Sequence, residues 1–102
     1  MKKNFAKLIM LVFISNLMYA HTAMMRCMDN DDETILCEAG FSDGSSAQGV
    51  SLLVIKKGKV IFETKFDDSS EITFKKPKGK YTVLLDGGAG HSVRLESSSI
   101  SN

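Results

Sequence analysis

From residue 22 to residue 96, apolar and polar side chains alternate with a period of two, which is the pattern of half-buried β-strands. Polar or glycine-containing segments interrupt the alternation at close intervals. The pattern predicts strands over residues 22–28, 34–41, 50–56 and 59–66, and shorter strands around Phe74, Val83 and Val93. No helical period occurs beyond the first twenty residues. We therefore predict an all-β fold, a small antiparallel seven-stranded β-sandwich.

Two features refine this arrangement. Residues 50–56 hold a nearly continuous apolar run, which predicts a central strand covered on both faces. Lys57 and Gly58 follow it and are typical of a two-residue hairpin turn. Residues 97–102 are mostly polar, so we expect this tail to fray.

The first twenty residues have a different character. Three lysines give a positive start, residues 8–19 form a mostly apolar run, and Ala20 offers a small residue for cleavage. This order is typical of a cleaved secretory signal peptide, and the run is shorter than the about 20 residues of a membrane span. We predict a periplasmic protein, cleaved after Ala20 or alternatively after Ala23. Its parts are a signal peptide over 1–20, a β-sandwich domain over 21–97 and a polar tail over 98–102.

The charge balance argues against one class of partner. The full sequence has 13 basic and 12 acidic residues, and loss of the signal peptide leaves the mature chain slightly acidic. Lys75, Lys76, Lys78 and Lys80 cluster around a proline and a glycine, which is typical of a solvated turn. A nucleic-acid-binding protein needs a broader basic face. We therefore expect no nucleic-acid partner.

The mature chain contains two cysteines, Cys27 and Cys37. A hairpin about the polar turn at residues 29–33 brings them opposite each other, and an exported protein meets a compartment that permits disulfides. We predict a disulfide worth about 3 kcal/mol by the loop-length model. Free thiols or metal ligation are the alternatives, although a lone cysteine pair is a poor match to a zinc site.

The mature chain also contains two histidines, His21 and His91. Cleavage after Ala20 makes His21 the first residue, so that its α-amine and ring Nδ1 can bind one metal ion together. The imidazole of His91 would complete a three-nitrogen set, which suits Cu(II) or Ni(II). Asp86, just before the glycine-rich segment, is placed to orient a ligating ring. The alternative is a terminal histidine without a role and a loop histidine with a local hydrogen bond.

Sulfur ligands and catalysis are the other chemical options. Met24 and Met25 carry thioethers, which favour Cu(I). Met24 and Met28 share one face of the first predicted strand, so we expect that pair to fill the core. Ser92 lies beside His91, but no nucleophile motif surrounds it. We therefore predict neither enzymatic activity nor a small-molecule substrate.

Three segments carry a resemblance to a known family. They are residues 37–47 (CEAGFSDGSSA), 77–83 (PKGKYTV) and 86–91 (DGGAGH). Together they resemble the small periplasmic proteins that accompany bacterial nickel and cobalt uptake transporters. The middle of the chain is similar to the carboxypeptidase-regulatory or transthyretin-like sandwich, which implies a fold and little about function.

The resemblance implies a periplasmic accessory protein that binds nickel or cobalt, with copper as a further option, for a membrane metal transporter. It makes His21 and His91 the candidate ligands and Asp43 a polar neighbour. Relatives often carry a tryptophan shortly after the first histidine, where this chain has Met24 and Met25. The added sulfur would favour copper, or alternatively would only refill the core. The alternative function is a non-metal periplasmic protein–protein interaction module.

Overall fold

The described chain is built almost entirely from strands. A computed structural model describes residues 22–88 and 90–102. The elements are β1 (Ala23–Asp29), β2 (Thr34–Phe41), β3 (Ser51–Lys56), β4 (Lys59–Lys65), β5 (Glu71–Lys75), β6 (Thr82–Asp86), β7 (Ser92–Glu96) and a 3₁₀ turn (Ser97–Ser99). All of their pairings are antiparallel, so the predicted all-β fold of seven strands is confirmed. In this part of the chain no helix is long and apolar enough to cross a membrane. The predicted signal peptide and His21 lie outside the described residues.

The strands form two sheets that share one apolar core. The smaller sheet has the order β1-β2-β5, and the larger has the order β4-β3-β6-β7. Both sheets contribute buried side chains, as expected for a sandwich with one inner face per sheet. The buried apolar residues of the core are Ile35, Cys37, Ala47, Leu52, Val54, Phe66, Phe74, Tyr81, Val83 and Leu85.

The centre of the larger sheet follows directly from the two-residue period. Leu52 and Val54 of β3 point into the core, and they lie opposite Leu85 and Val83 of β6. Burying each of these side chains stabilises the fold by about 1.5–3 kcal/mol relative to leaving it exposed. The central place of β3 agrees with its apolar run. Its second face is less covered than expected, because Leu53 is only half-buried.

A two-residue turn joins β3 to β4, in agreement with the sequence. Lys57 and Gly58 have φ angles of 52° and 75°. Positive φ at both central positions is the mark of a type I′ turn, whose twist matches that of the flanking strands. Within the described residues β4 pairs only with β3, so the hairpin leaves β4 at the outer edge of its sheet.

The predicted disulfide is present. Cys27 of β1 and Cys37 of β2 are register partners, and their sulfur atoms are 2.00 Å apart. Cys37 is fully buried and Cys27 packs against the core. The bond therefore fastens the edge strand β1 to the centre of the smaller sheet.

The C-terminal tail is docked on the sandwich, and the expectation that it frays is wrong. The Ser97 N–H donates a hydrogen bond to the Tyr81 carbonyl at 2.9 Å, and the Asp29 N–H donates one to the Ser101 carbonyl at 3.2 Å. Ile100 packs against the core between these bonds. One apolar side chain is enough to hold this polar tail in place, because the backbone of the tail also forms hydrogen bonds with the sandwich.

The connections gather at two ends of the sandwich. The loop end comprises the β2–β3 loop, the β4–β5 turn and the glycine-rich β6–β7 loop. The turn end comprises the short β1–β2, β3–β4 and β5–β6 connections. Strand register sets this division, since Ala23 pairs with Phe41 at the loop end and Asp29 pairs with Ile35 at the turn end.

Candidate metal-binding site

The β6–β7 loop fixes the backbone of His91. The Gly87 N–H donates to the His91 carbonyl at 3.0 Å, and the His91 N–H donates to the Gly88 carbonyl at 3.0 Å. A Cβ on Gly87 would lie 2.9 Å from the His91 carbonyl oxygen, closer than side chains pack. Gly88 and Gly90 have φ angles of 98° and 79°, a region that favours glycine. The glycines are thus required by the tight return of the chain at His91.

The imidazole of His91 is half-buried against an aromatic ring. Its centroid lies 6.0 Å from that of Phe41, with the rings at 79° in an edge-to-face arrangement. Its Nδ1 is buried, and it has no hydrogen-bond partner in the described structure. A buried polar atom without a partner costs about 1–3 kcal/mol, so we expect a water molecule, an ion or another group to satisfy Nδ1.

Asp86 stabilises the loop rather than the imidazole. Its Oδ1 accepts a hydrogen bond from the Gly88 N–H at 3.1 Å. This bond closes the loop from its strand end, as short Asp side chains do in turns. From the sequence, Asp86 is predicted to orient a ligating ring. In this structure Asp86 instead orients the backbone of the loop that carries His91.

The described chain begins at the same end of the sandwich. The Thr22 N–H donates to the Ser42 Oγ at 2.9 Å, and the Ser42 N–H donates to the Thr22 carbonyl at 2.9 Å. Ser42 follows Phe41, whose ring contacts His91. The residue to which His21 is bonded is therefore anchored beside the Phe41–His91 pair. His21 itself lies outside the described residues.

Asp43 is part of the same loop end. Its Oδ1 accepts hydrogen bonds from the Ser45 N–H at 3.0 Å and from the Ser45 Oγ at 2.7 Å. These bonds form a tight polar turn that follows directly on Phe41 and Ser42. Asp43 thereby shapes the segment against which the start of β1 is held.

The methionines of β1 lie in different surroundings. Met25 packs against the core, and Met24 is 55% exposed on the opposite face. The expectation that Met24 fills the core is wrong, because the inward face of β1 is the one that holds Ala23, Met25 and Cys27. Because side chains alternate along a strand, an error of one residue in assigning the inward face exchanges all inward and outward side chains. Met24 remains an accessible thioether near the loop end.

The described residues contain no group of three or more His, Cys, Asp or Glu side chains that could hold a metal ion. The disulfide engages Cys27 and Cys37, so these two sulfur atoms are not thiolate ligands in this structure. Of the two histidines predicted as ligands, His91 is the one that lies within the described residues.

A second surface was not found by reasoning from the sequence. Phe62 of β4 stacks on Phe74 of β5 at 5.9 Å, and the two strands border a cleft at the turn end. The run of three apolar residues that ends at Phe62 is the sequence feature that corresponds to this surface. The run alone does not predict an exposed surface, because the sequence does not show that β4 is an edge strand.

No protein-family model, no curated protein and no solved structure matches this chain.

Proposed function

We propose that this chain is a periplasmic accessory protein that binds a transition-metal ion and delivers it to a membrane metal transporter. The ion is nickel or cobalt, with copper as the alternative, and it is cargo. The observation that carries the proposal is the His91 imidazole, whose buried Nδ1 has no hydrogen-bond partner in the described structure. A neutral imidazole is the commonest protein ligand for such metals, through either ring nitrogen.

The position of Thr22 supplies the second argument. Thr22 is held at the loop end by its bonds to Ser42, next to the ring that contacts His91. Cleavage after Ala20 would leave His21 as the first residue, one peptide bond away from this anchor. In the proposed site the α-amine and imidazole of His21 join the imidazole of His91. Three nitrogen ligands suit the tetragonal geometry of Cu(II) or Ni(II).

The disulfide is consistent with an exported protein. Bonds such as Cys27–Cys37 persist in oxidising compartments and are rare in the cytosol. The charged start and short apolar run of residues 1–20 support the same location. A periplasmic metal carrier must stay folded outside the cytoplasmic membrane, and a disulfide stabilises the sandwich in that compartment.

Calorimetric titration tests the proposal. Ni(II), Co(II) and Cu(II) are added separately to protein whose mass shows that it begins at His21. We expect one ion to bind at micromolar concentration or better. His91→Ala, and separately one extra residue ahead of His21, should each weaken binding by about tenfold or more, since each removes a ligand. Ser92→Ala, at the neighbouring exposed position, is the matched control and should bind as the unmodified protein does.

Two outcomes would contradict the ligand set. Cu(I) binding that survives both changes and is lost in Met24→Leu would place the site on sulfur. An exported chain that begins at Met24 would lack the proposed amine and imidazole of His21. If no ion binds at micromolar concentration, the metal function is wrong and the protein–protein interaction module replaces it.

A further inference from the structure

The two sheets part from each other along one side of the sandwich. On that side the edge strands β4 and β5 border an open cleft of about 690 Å³ at the turn end. Its apolar lining includes Val54, Ile61, Phe62, Phe74 and Pro77. The cleft lies away from the loop end and therefore away from His91.

The cleft is bordered by strand edges as well as side chains. β4 is the last strand of its sheet and β5 is the last strand of the other, so each has one edge unpaired within the described residues. An unpaired edge presents a row of backbone donors and acceptors that an additional strand can use. An additional strand bound here would therefore form main-chain hydrogen bonds with the edge and also bury its apolar side chains in the cleft.

The edge strand β4 is unusually apolar for its exposure. Val60 and Ile61 are each 51% exposed, and Phe62 is 39% exposed. The register shifts by one between Val54 and Ile55, which leaves Ile61 as the extra residue of a β-bulge. A bulge and terminal lysines are devices that protect an edge strand, but the contiguous exposed apolar residues 60–62 mark an interaction site.

Positive charge surrounds the apolar lining. Lys56 lies at the end of β3, and Lys75, Lys76 and Lys78 lie across the cleft in and after β5. Lys76 forms an ion pair with Asp29 at 2.6 Å, while no ion pair is found for the other three within the described residues. The sequence suggested a solvated turn for this cluster. That prediction is confirmed, since the four lysines of residues 75–80 are all exposed. The fold also brings the cluster next to the β3–β4 hairpin, so that Lys56, Lys75 and Lys78, without an ion pair among the described residues, border one apolar cleft.

We propose that this cleft binds an extended segment of a partner protein in which acidic and apolar residues alternate. The segment adds to the free edge of β4, places its apolar side chains against Phe62 and Phe74, and places its carboxylates near Lys75 and Lys78. An anionic lipid shares the charge and the apolar character. It cannot use the backbone edges, and an open cleft encloses an acyl chain poorly, so the observations favour the peptide.

The test uses the full mature protein and a synthetic octapeptide that alternates glutamate with valine. Binding is followed by fluorescence anisotropy of the labelled peptide and by backbone amide NMR signals of the protein. We expect signals of β4 and β5 to shift, and binding to weaken as ionic strength rises. The double variant Lys75→Glu/Lys78→Glu should lose about tenfold or more in affinity, because it opposes like charges. Lys80→Glu is the matched control, since Lys80 lies on the same turn but lines a different groove.

Two further probes separate strand addition from other modes. The first probe is the same peptide with methyl groups on the backbone amides that would face β4. It should not bind, because these amides can no longer donate hydrogen bonds to the strand edge. Ile61→Lys changes a half-exposed position without touching the buried core and should also abolish binding. Equal binding of the methylated peptide, or of a lysine–valine peptide, would overturn the proposal. So would shifts caused by phosphatidylglycerol vesicles but not by peptide, or self-association through β4 in sedimentation.

Discussion

At the scale of single residues, Gly87 and His91 determine each other's placement. The carbonyl of His91 accepts the Gly87 N–H at 3.0 Å, and the space where a Gly87 side chain would stand is occupied by His91 itself. The imidazole is then held against Phe41 with Nδ1 turned inward. The two residues therefore act as one unit in which the glycine positions the candidate ligand.

Gly87→Ala should disturb this unit. The added Cβ would lie 2.9 Å from the His91 oxygen, so the loop must move at a cost of about 1–3 kcal/mol. Gly40→Ala is a matched control in the same region, because its Cβ would meet the Ser45 carbonyl oxygen at an ordinary 3.5 Å. Thermal unfolding and the NMR signals of the His91 ring measure the effect. Equal stability and unchanged ring signals in both variants would show that the loop does not constrain His91.

The ion pair between Asp29 and Lys76 makes stability depend on pH. The Lys76 ammonium and the Asp31 N–H donate hydrogen bonds to the Asp29 carboxylate and lower its pKa below the usual 3.8. A carboxyl whose pKa is lowered by folding stabilises the folded state above its unfolded pKa. That contribution is lost as the pH falls through the folded value.

Asp29→Asn should therefore lower the melting temperature at neutral pH. The difference from the unmodified protein should shrink as the pH falls below the unfolded pKa of about 3.8. Asp68→Asn, at an exposed aspartate of the β4–β5 turn, is the control and should change the melting temperature little at neutral pH. A difference between Asp29→Asn and the unmodified protein that stays constant across this range would rule out the ion pair as its cause.

At the scale of elements, the sequence was most informative where a strand has one apolar face and a clear turn on either side. β2 was predicted over 34–41 and spans Thr34–Phe41. β1 was less certain, because methionines stand on both of its faces and either could be taken as the core side. Only the pairing of Cys27 with Cys37 and the packing of Met25 decide which face is inward.

The disulfide should stabilise the smaller sheet by restricting the unfolded chain. Replacing both cysteines by alanine should lower the free energy of unfolding by about 3 kcal/mol, as the loop-length model gives for a short loop. Chemical denaturation measures the loss, and alkylation without reductant should label neither cysteine of the unmodified protein. Free reaction of both thiols in the unmodified protein would contradict the bond and return Cys27 and Cys37 to the candidate ligands.

At the scale of the whole molecule, the fold separates two surfaces. The loop end holds His91 and the entry of the chain at Thr22, and the turn end holds the basic, apolar cleft beside β4. Both histidines could be predicted as candidate ligands from the sequence, since few residue types bind such metals. It could not show that Thr22 lies beside the Phe41–His91 pair, because this proximity depends on how two sheets pack.

The cleft could not be predicted for a related reason. An alternating strand looks the same in sequence whether it lies at the centre or at the edge of a sheet, so the exposure of Val60 and Ile61 was hidden. The docked tail was missed because one residue, Ile100, outweighs its polar neighbours. In each case the missing information is the arrangement of elements that are distant in the chain.

Whether His91 is a metal ligand can be measured directly. Imidazole nitrogen signals of ¹⁵N-labelled protein that begins at His21 are recorded while Ni(II) is added to one equivalent. We predict that the His91 Nδ1 signal, from the atom buried without a partner in the described structure, changes in step with the His21 signals and stops changing at one equivalent. Nickel binding that leaves both His91 ring nitrogens unchanged would contradict the account, and so would a failure of Ni(II), Co(II) and Cu(II) all to bind.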